Sequence, residues 1–144
     1  MVAVSATQLD FDLLPPEAVV VRRVRRLNDA LWRFTAGAPD VHATALVSED
    51  GFLLGRALSA TLDERHAVGL THAMLDLAER ASAELGRGRH EVLMPSPDGY
   101  AAALPAGSGT VLLSLAQGSA DPGALLPRMR SAATDLRQIL ESQR

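Results

Sequence analysis

One segment of the sequence, from Thr61 to Leu85, places apolar residues on two adjoining stripes of a single long helix, and this constrains the fold more than any other feature. The capping box Thr61-Leu62-Asp63-Glu64 predicts where the helix begins, and Gly86 predicts a left-handed end. The first stripe consists of Leu70, Met74, Leu77, Ala81 and Leu85. The second stripe, which we call the seam, consists of Val68, Thr71, Leu75, Ala78 and Ser82. Because one stripe is enough to dock a helix on a sheet, we predict that the first stripe docks and that the seam packs against another helix.

Shorter patterns on either side of this helix predict the other elements. An apolar helical stripe begins after Pro16 and ends before Gly37. A last helix is expected after Asp121-Pro122, with the helix proper starting close to Pro127, because proline is tolerated only in the first helical turn. Short apolar runs separated by turn residues predict strands over Val41 to Ser48, Phe52 to Leu58, His90 to Met94, Tyr100 to Leu104 and Thr110 to Ala116. Both faces of the first of these strands are apolar, so the sheet needs helices on both of its faces.

The prolines near residue 96 place one strand at the border of the sheet. Pro95 and Pro97 close the run that begins at His90, and proline cannot donate a hydrogen bond to a neighbouring strand. We therefore predict that this strand lies at a sheet edge.

The composition removes several classes of function. The chain has 144 residues, which fits one domain, and no cysteine, which excludes disulfides, thiolate nucleophiles and cysteine-bound zinc. A net charge of -3 argues against general affinity for nucleic acid. No apolar stretch approaches the ~18 residues of a membrane span and no signal pattern is present, so we expect a cytoplasmic protein without integral membrane association. We interpret residues 1–14 as an N-terminal arm and residues 15–144 as the folded domain.

No pattern in the sequence is typical of a catalytic or metal site. The histidines at positions 42, 66, 72 and 90 lack metal-ligand spacing. Gly107-Ser108-Gly109 reads as a hairpin turn rather than a phosphate loop, because no Gly-Lys-Ser/Thr follows it. No serine stands in a nucleophile elbow. We expect a chain that is not an enzyme and that has no metal or cofactor.

Several segments carry a family resemblance through their order. Residues 45–54 (ALVSEDGFLL) form an apolar run, an Asp-Gly turn and another apolar run, and residues 77–88 (LAERASAELGRG) close the long helix. Residues 98–100 (DGY) and 110–113 (TVLL) belong to a later hairpin and a last strand. Together these segments resemble the Roadblock/dynein light-chain domain family, of the bacterial type associated with small GTPases. The resemblance implies an α+β fold of three layers, in which a five-stranded antiparallel sheet carries the long helix on one face and the first and last helices on the other.

The resemblance also implies a homodimer formed through the central helix and the third strands, where the seam already predicts a contact. The dimer-interface residues expected on this basis are Val68, Thr71, Leu75, Ala78, Ser82, His90, Val92 and Met94. Pro95 and Pro97 leave only about His90 to Met94 free to pair across such a dimer.

Bacterial relatives of the family partner small Ras-like GTPases, which implies that this chain is an adaptor or regulator of such a protein. The outer arc of the long helix is then a docking rim for the GTPase or simply a solvated helix face; it consists of Arg65, His72, Asp76, Glu79 and Arg80. The cluster Arg22, Arg23, Arg25 and Arg26 is a solvated face or a surface for an acidic partner, an anionic lipid or nucleic acid. The alternative function is a sensory domain that holds a metabolite between sheet and helix, and it requires an internal pocket of ~300 Å³ or more.

Overall fold

Every predicted element is present, in the predicted order. The computed structural model describes residues 16–57, 63–86, 91–107, 109–118 and 121–142. The elements are α1 (Pro16–Ala36), β1 (Val41–Ser48), β2 (Leu53–Ala57), α2 (Glu64–Leu85), β3 (Val92–Ser96), β4 (Gly99–Pro105), β5 (Thr110–Gln117) and α3 (Pro122–Glu141). All neighbouring strands are antiparallel, and their order across the sheet is β2-β1-β5-β4-β3. This confirms the expected α+β fold class.

The sheet separates two apolar cores, and successive residues of its central strand point into different ones. Leu112 of β5 packs with Leu31 of α1 and Met129 of α3, whereas Leu113 packs with Met74 of α2. All of these side chains are almost fully buried. The structure therefore has α1 and α3 on one face and α2 on the other, as the two apolar faces of the first strand predicted.

The helix α2 begins two residues later than the capping box predicted. Asp63 is the N-cap, with extended backbone angles and a side-chain Oδ1 that accepts from the His66 N–H at 2.8 Å. Thr61 lies outside the described residues. Aspartate and threonine are both good N-caps, so the local pattern did not distinguish them, and the choice of Thr61 was wrong. The predicted end is confirmed: Gly86 has φ +66° and its N–H donates to the Ser82 carbonyl at 3.1 Å.

The last helix begins five residues before the predicted start near Pro127. Asp121 caps it by accepting from the Gly123 N–H at 3.0 Å, and Pro122 occupies its first turn. Pro127 therefore lies inside the helix and cannot donate to the Gly123 carbonyl. Because Gly123 is exposed, water can bond that carbonyl, and the helix continues through the proline.

The two edges of the sheet differ in how much of their backbone is accessible. At the β2 edge, the Asn28 side chain of α1 accepts from the Arg56 N–H at 2.8 Å, so the backbone of Arg56 points away from β1 and is covered by α1. In an antiparallel sheet, successive residues of a strand direct their N–H and C=O groups alternately to one side and to the other. Following this alternation from Arg56 through the observed strand register shows that the backbone groups of Leu93 and Pro95 point toward the free edge of β3. The predicted edge position of this strand is confirmed. The strand runs through Pro95 because that residue faces outward and loses no bond to β4.

The start of β3 is fixed to α3 by a two-pronged ion pair. Arg130 donates from Nε to Glu91 Oε2 at 2.8 Å and from Nη2 to Oε1 at 2.7 Å. The Arg130 hydrogen bonds lower the pKa of the Glu91 carboxyl from its usual 4.5.

This pair should give a small, pH-dependent stabilisation. Because folding lowers the pKa of Glu91, its contribution is complete above the unfolded pKa and disappears as the pH falls through the lower, folded value. Glu91→Gln should cost about 0.5–1 kcal/mol of unfolding free energy at pH 7, since a third of the Glu91 side chain is exposed, and nothing in strong acid. Urea unfolding of both proteins from pH 7 down to pH ~3 measures this. A constant difference over that range would contradict it.

Candidate functional site

The helix α2 docks on the sheet through a line that lies between the two predicted stripes. Its buried residues are Ala67, Thr71, Met74 and Ala78, spaced by four, three and four positions. The alanines let the helix backbone approach the sheet, and Met74 extends into the core. The Thr71 hydroxyl donates to the Ala67 carbonyl at 2.7 Å, which satisfies this polar group under the helix.

This docking line changes the roles predicted for the two stripes. Leu77 and Leu85 were expected to dock on the sheet, but they are 54% and 63% exposed, so that expectation was wrong. Thr71 and Ala78, both from the seam, are 1% and 8% exposed and are covered by the chain's own sheet. Both stripes have the same helical spacing, and the docking line is set by where small residues meet the sheet. Each stripe therefore forms one flank of the docked helix.

The remaining predicted interface residues lie on these flanks and on the edge strand. Val68, Leu75 and Ser82 are half-buried on one flank of α2. Val92 is half-buried and Met94 is 41% exposed. Both lie on the α2 side of β3, because they pair with Ala103 and Ala101, which pack in the core beneath α2. His90 lies outside the described residues.

A groove of about 300 Å³ separates this flank of α2 from the end of the sheet. Its lining is mostly apolar, with Glu79 and Ser82 as the polar members; the apolar members include Met74, Leu75, Val92, Ala103 and Val111. Two of its lining residues, Ala78 on the helix and Ala103 on β4, have small side chains that leave space between helix and sheet. The groove brings together four of the predicted interface residues, Leu75, Ala78, Ser82 and Val92, and it was not predicted from the sequence.

The outer arc of α2 is open to solvent except at one residue. Arg65, Asp76, Glu79 and Arg80 are exposed, as predicted for a rim. His72 is half-buried, with its ring against Gly51 of the turn between β1 and β2. Its Nε2 atom is buried and has no hydrogen-bond partner within the described part of the chain. The arc therefore presents two positively and two negatively charged side chains to a partner, whereas little of the His72 side chain is accessible.

Sequence reasoning missed three exposed apolar side chains on α2 and β3. Besides Leu77 and Leu85 on α2, Leu93 of the edge strand is 39% exposed. Helical spacing alone marked the first two as core residues, and only the docking line and the strand register reveal them as surface.

Two further searches of the described residues gave negative results. Across residues 16–57, 63–86, 91–107, 109–118 and 121–142, no three or more histidine, aspartate or glutamate side chains lie together as metal ligands would. None of the described helices has the length and apolarity needed to cross a membrane.

Comparison with known proteins identifies the fold. The profile of the Roadblock/LC7 domain matches residues 27–116. A Roadblock/LC7 domain from Streptomyces avermitilis superposes with a TM-score of 0.73 at 22% identity, covering 80% of this chain and 98% of that one. MglB from Myxococcus xanthus gives a TM-score of 0.74 at 18% identity, covering 82% and 90%. An MglB described as having a tetrameric arrangement gives 0.64 at 18% identity, covering 92% and 98%.

No curated protein sequence is significantly similar to the whole chain. The profile match nevertheless spans more than half of the chain and includes α2, β1 to β4 and all but the last residue of β5. The chain therefore belongs to the Roadblock/LC7 family.

Proposed function

We propose that the chain is a cytoplasmic homodimeric adaptor that binds a small Ras-like GTPase and responds to its nucleotide state, with no chemistry of its own. One observation carries the proposal: large apolar side chains are left exposed on one side of the domain. Leu77 and Leu85 of α2 and Met94 of β3 are 54%, 63% and 41% exposed. Apolar surface grouped in this way is typical of a protein interface.

The proposed dimer joins α2 and the free edge of β3 in two copies. The outward backbone of Leu93 is available to a second strand, and Pro95 stops the pairing on its far side. A two-fold axis would bring the same residues together from both subunits. The interface residues we propose are Val68, Leu75, Leu77, Ser82, Leu85, His90, Val92 and Met94, with Thr71 and Ala78 supporting them from beneath the helix. The tetrameric arrangement described for an MglB supports self-association in this fold.

The outer arc of α2 is the proposed contact with the GTPase. In a dimer it is present twice, so the partner meets a composite surface from two subunits. Such charges act mainly on the rate and orientation of association. If the dimer binds the GTP form more tightly, it shifts the partner's conformational population by no more than that difference in affinity. Any change in hydrolysis then occurs in the GTPase's own active site.

Recovery of candidate GTPases on the immobilised dimer tests this proposal. We expect more recovery with the GTP-loaded than with the GDP-loaded protein. Equal recovery would leave scaffolding without nucleotide sensing, and no recovery of any Ras-like GTPase would refute the proposal. Reversing two charges of the arc, Arg65→Glu with Arg80→Glu, should slow association about tenfold at low salt. The matched reversal of the exposed Arg137 on α3, across the sheet, should not.

One observation favours the alternative of a metabolite-binding domain. The groove beside α2 has a volume of about 300 Å³, which reaches the lower limit for small-molecule sites. Its lining includes Leu75, Ser82 and Val92, so a ligand there would compete with the proposed dimer or depend on it. A metabolite that stabilises the chain against heat, together with no GTPase recovery, would favour this alternative.

A further inference from the structure

The outward side of α1, across the sheet from α2, carries several arginines, an aspartate and a tryptophan. At about 100° per residue, these side chains occupy about a third of the helix circumference, turned away from the residues that α1 buries. They include Arg25, Arg26, Asp29, Trp32 and Arg33, all of them exposed. Trp32, the chain's single tryptophan, is 56% exposed, so its ring takes little part in the core. This side of α1 is therefore basic, with a large aromatic ring at its border.

A cleft between α1 and α3 brings in an arginine from the second helix. The cleft has a volume of about 310 Å³, and Arg33 of α1 and Arg128 of α3 line it together with Ser131 and Asp135. Arg128 Nη1 lies 3.8 Å from the position that a Cβ atom on Gly37 would take, so this guanidinium reaches across to the end of α1. We call the group formed by these arginines and the tryptophan the basic face; it consists of Arg25, Arg26, Trp32, Arg33 and Arg128.

The four guanidinium groups of the basic face are not used within the described structure. None of them makes a hydrogen bond or an ion pair with any residue that the structure describes, and the neighbouring Asp29 and Asp135 pair with none of them. Arg23, predicted as part of the same cluster, differs, because it donates to the Ser142 carbonyl at 2.8 Å. The basic face thus has four available cations beside two anions, whereas the whole chain has a net charge of -3. This face therefore has the opposite sign of charge to the chain as a whole.

The chemistry of the basic face matches an anionic membrane surface. Arginine binds lipid phosphate through paired hydrogen bonds, and the negative potential of an anionic leaflet attracts each such cation. The indole ring of tryptophan prefers the layer between lipid headgroups and hydrocarbon, where the ring is covered and its N–H still finds an acceptor. Because α1 and α3 lie side by side, the arginines and Trp32 are presented on one broad side of the domain.

Other acidic occupants match the basic face less well. Nucleic acid is held by many phosphate contacts and by bases stacked on several aromatic rings, and the basic face has four cations and one ring. An acidic protein would have to present carboxylates to the arginines and an apolar pocket to Trp32 at matching positions. An anionic bilayer presents phosphate and apolar surface next to each other at every point, so it needs no such match.

We propose that the basic face docks the protein peripherally on an anionic membrane. A lipid phosphate enters the cleft between Arg33 and Arg128, and the Trp32 ring lies at the level of the headgroups. The basic face lies across the sheet from α2, so the proposed dimer and GTPase surfaces stay accessible on a docked molecule. The proposal therefore does not depend on the proposed function.

Vesicle binding by the full chain tests this proposal. At about 0.1 M salt the parent should sediment with vesicles of equal parts phosphatidylcholine and phosphatidylglycerol, and not with vesicles of phosphatidylcholine alone. Because Trp32 is the single tryptophan, its emission should shift to the blue on the anionic vesicles. Arg25→Glu with Arg33→Glu should lower the partition coefficient at least about tenfold, since two attractive charges become repulsive. About 1 M salt should lower it for the parent as well, because charges are then screened beyond ~3 Å.

The matched control makes the same change of net charge on the other side of the sheet. Arg65→Glu with Arg80→Glu alters two exposed positions of α2, and this protein should bind the anionic vesicles as the parent does. Circular dichroism checks that both double variants are folded. The proposal is overturned if the parent does not bind the anionic vesicles, or if Arg25→Glu with Arg33→Glu binds them as well as the parent. It is also overturned if the parent binds polyglutamate or a DNA oligonucleotide but not the vesicles, because the occupant is then an acidic protein or nucleic acid.

Discussion

Gly99→Ala should prevent the chain from folding into this sheet. Gly99 opens β4 with φ +147°, a conformation that side chains rarely adopt. A Cβ atom added there would lie 2.0 Å from the Ala116 carbonyl oxygen of β5, and backbone on a central strand cannot move aside. We expect a loss of more than about 4 kcal/mol in unfolding free energy, which is most of the stability of an ordinary domain. Circular dichroism and urea unfolding would measure it.

Gly69→Ala is the matched control for this prediction. Gly69 lies within α2, is exposed, and a Cβ there has no neighbour within 4 Å. Alanine should therefore stabilise the protein by about 0.5–1 kcal/mol, the usual difference between these residues in a helix. A Gly99→Ala protein within about 1 kcal/mol of the parent would show that β4 and β5 are not as close as described.

Leu77→Arg should convert the proposed dimer into a folded monomer. Leu77 is 54% exposed in the single chain, so arginine there should change the unfolding free energy of the monomer by about 0.5 kcal/mol or less. In the proposed dimer the same position is covered, and an unpaired charge would have to be buried. We expect the dimer Kd to rise by at least about 100-fold, measured by light scattering on size-exclusion chromatography over a dilution series.

Trp32→Arg provides the matched control, since Trp32 is 56% exposed on the other side of the sheet. It should leave the dimer Kd unchanged. Leu75→Arg would be a poorer test, because Leu75 lines the groove and packs against the core beneath α2. A parent chain that is monomeric at micromolar concentration would contradict the dimer, and so would a Leu77→Arg protein that associates as the parent does.

Most of the fold was predictable because its signals are local. The turn Glu49-Asp50-Gly51 and the runs on either side of it define a hairpin without reference to the rest of the chain. The edge position of β3 followed from Pro95, since a missing N–H restricts where a strand can lie. Helix starts were less certain, because Thr61 and Asp63 have equivalent capping chemistry.

The candidate site was less predictable because it depends on packing between distant segments. The seam and the first stripe have equal spacing, and the docking line between them is determined by Ala67 and Ala78 meeting the sheet. The groove is lined by both Ala78 and Ala103, which are 25 positions apart. The exposure of Leu93 requires the register of β3 on β4. Periodicity within one helix contains none of this information.

The side-chain amide of Asn28 limits how copies of the protein can associate through their sheet edges. A sheet with two open borders can accept a neighbour at each, and such units add end to end into a fibre. Here α1 packs along β2 and its Asn28 side chain accepts from the Arg56 N–H, so a strand added at this edge would have to displace that bond, whereas the β3 edge is available. Two copies that pair through their β3 edges leave only the β2 edges, against which α1 packs, at the outside of the joint sheet. We therefore expect the sheet to stop growing at the dimer.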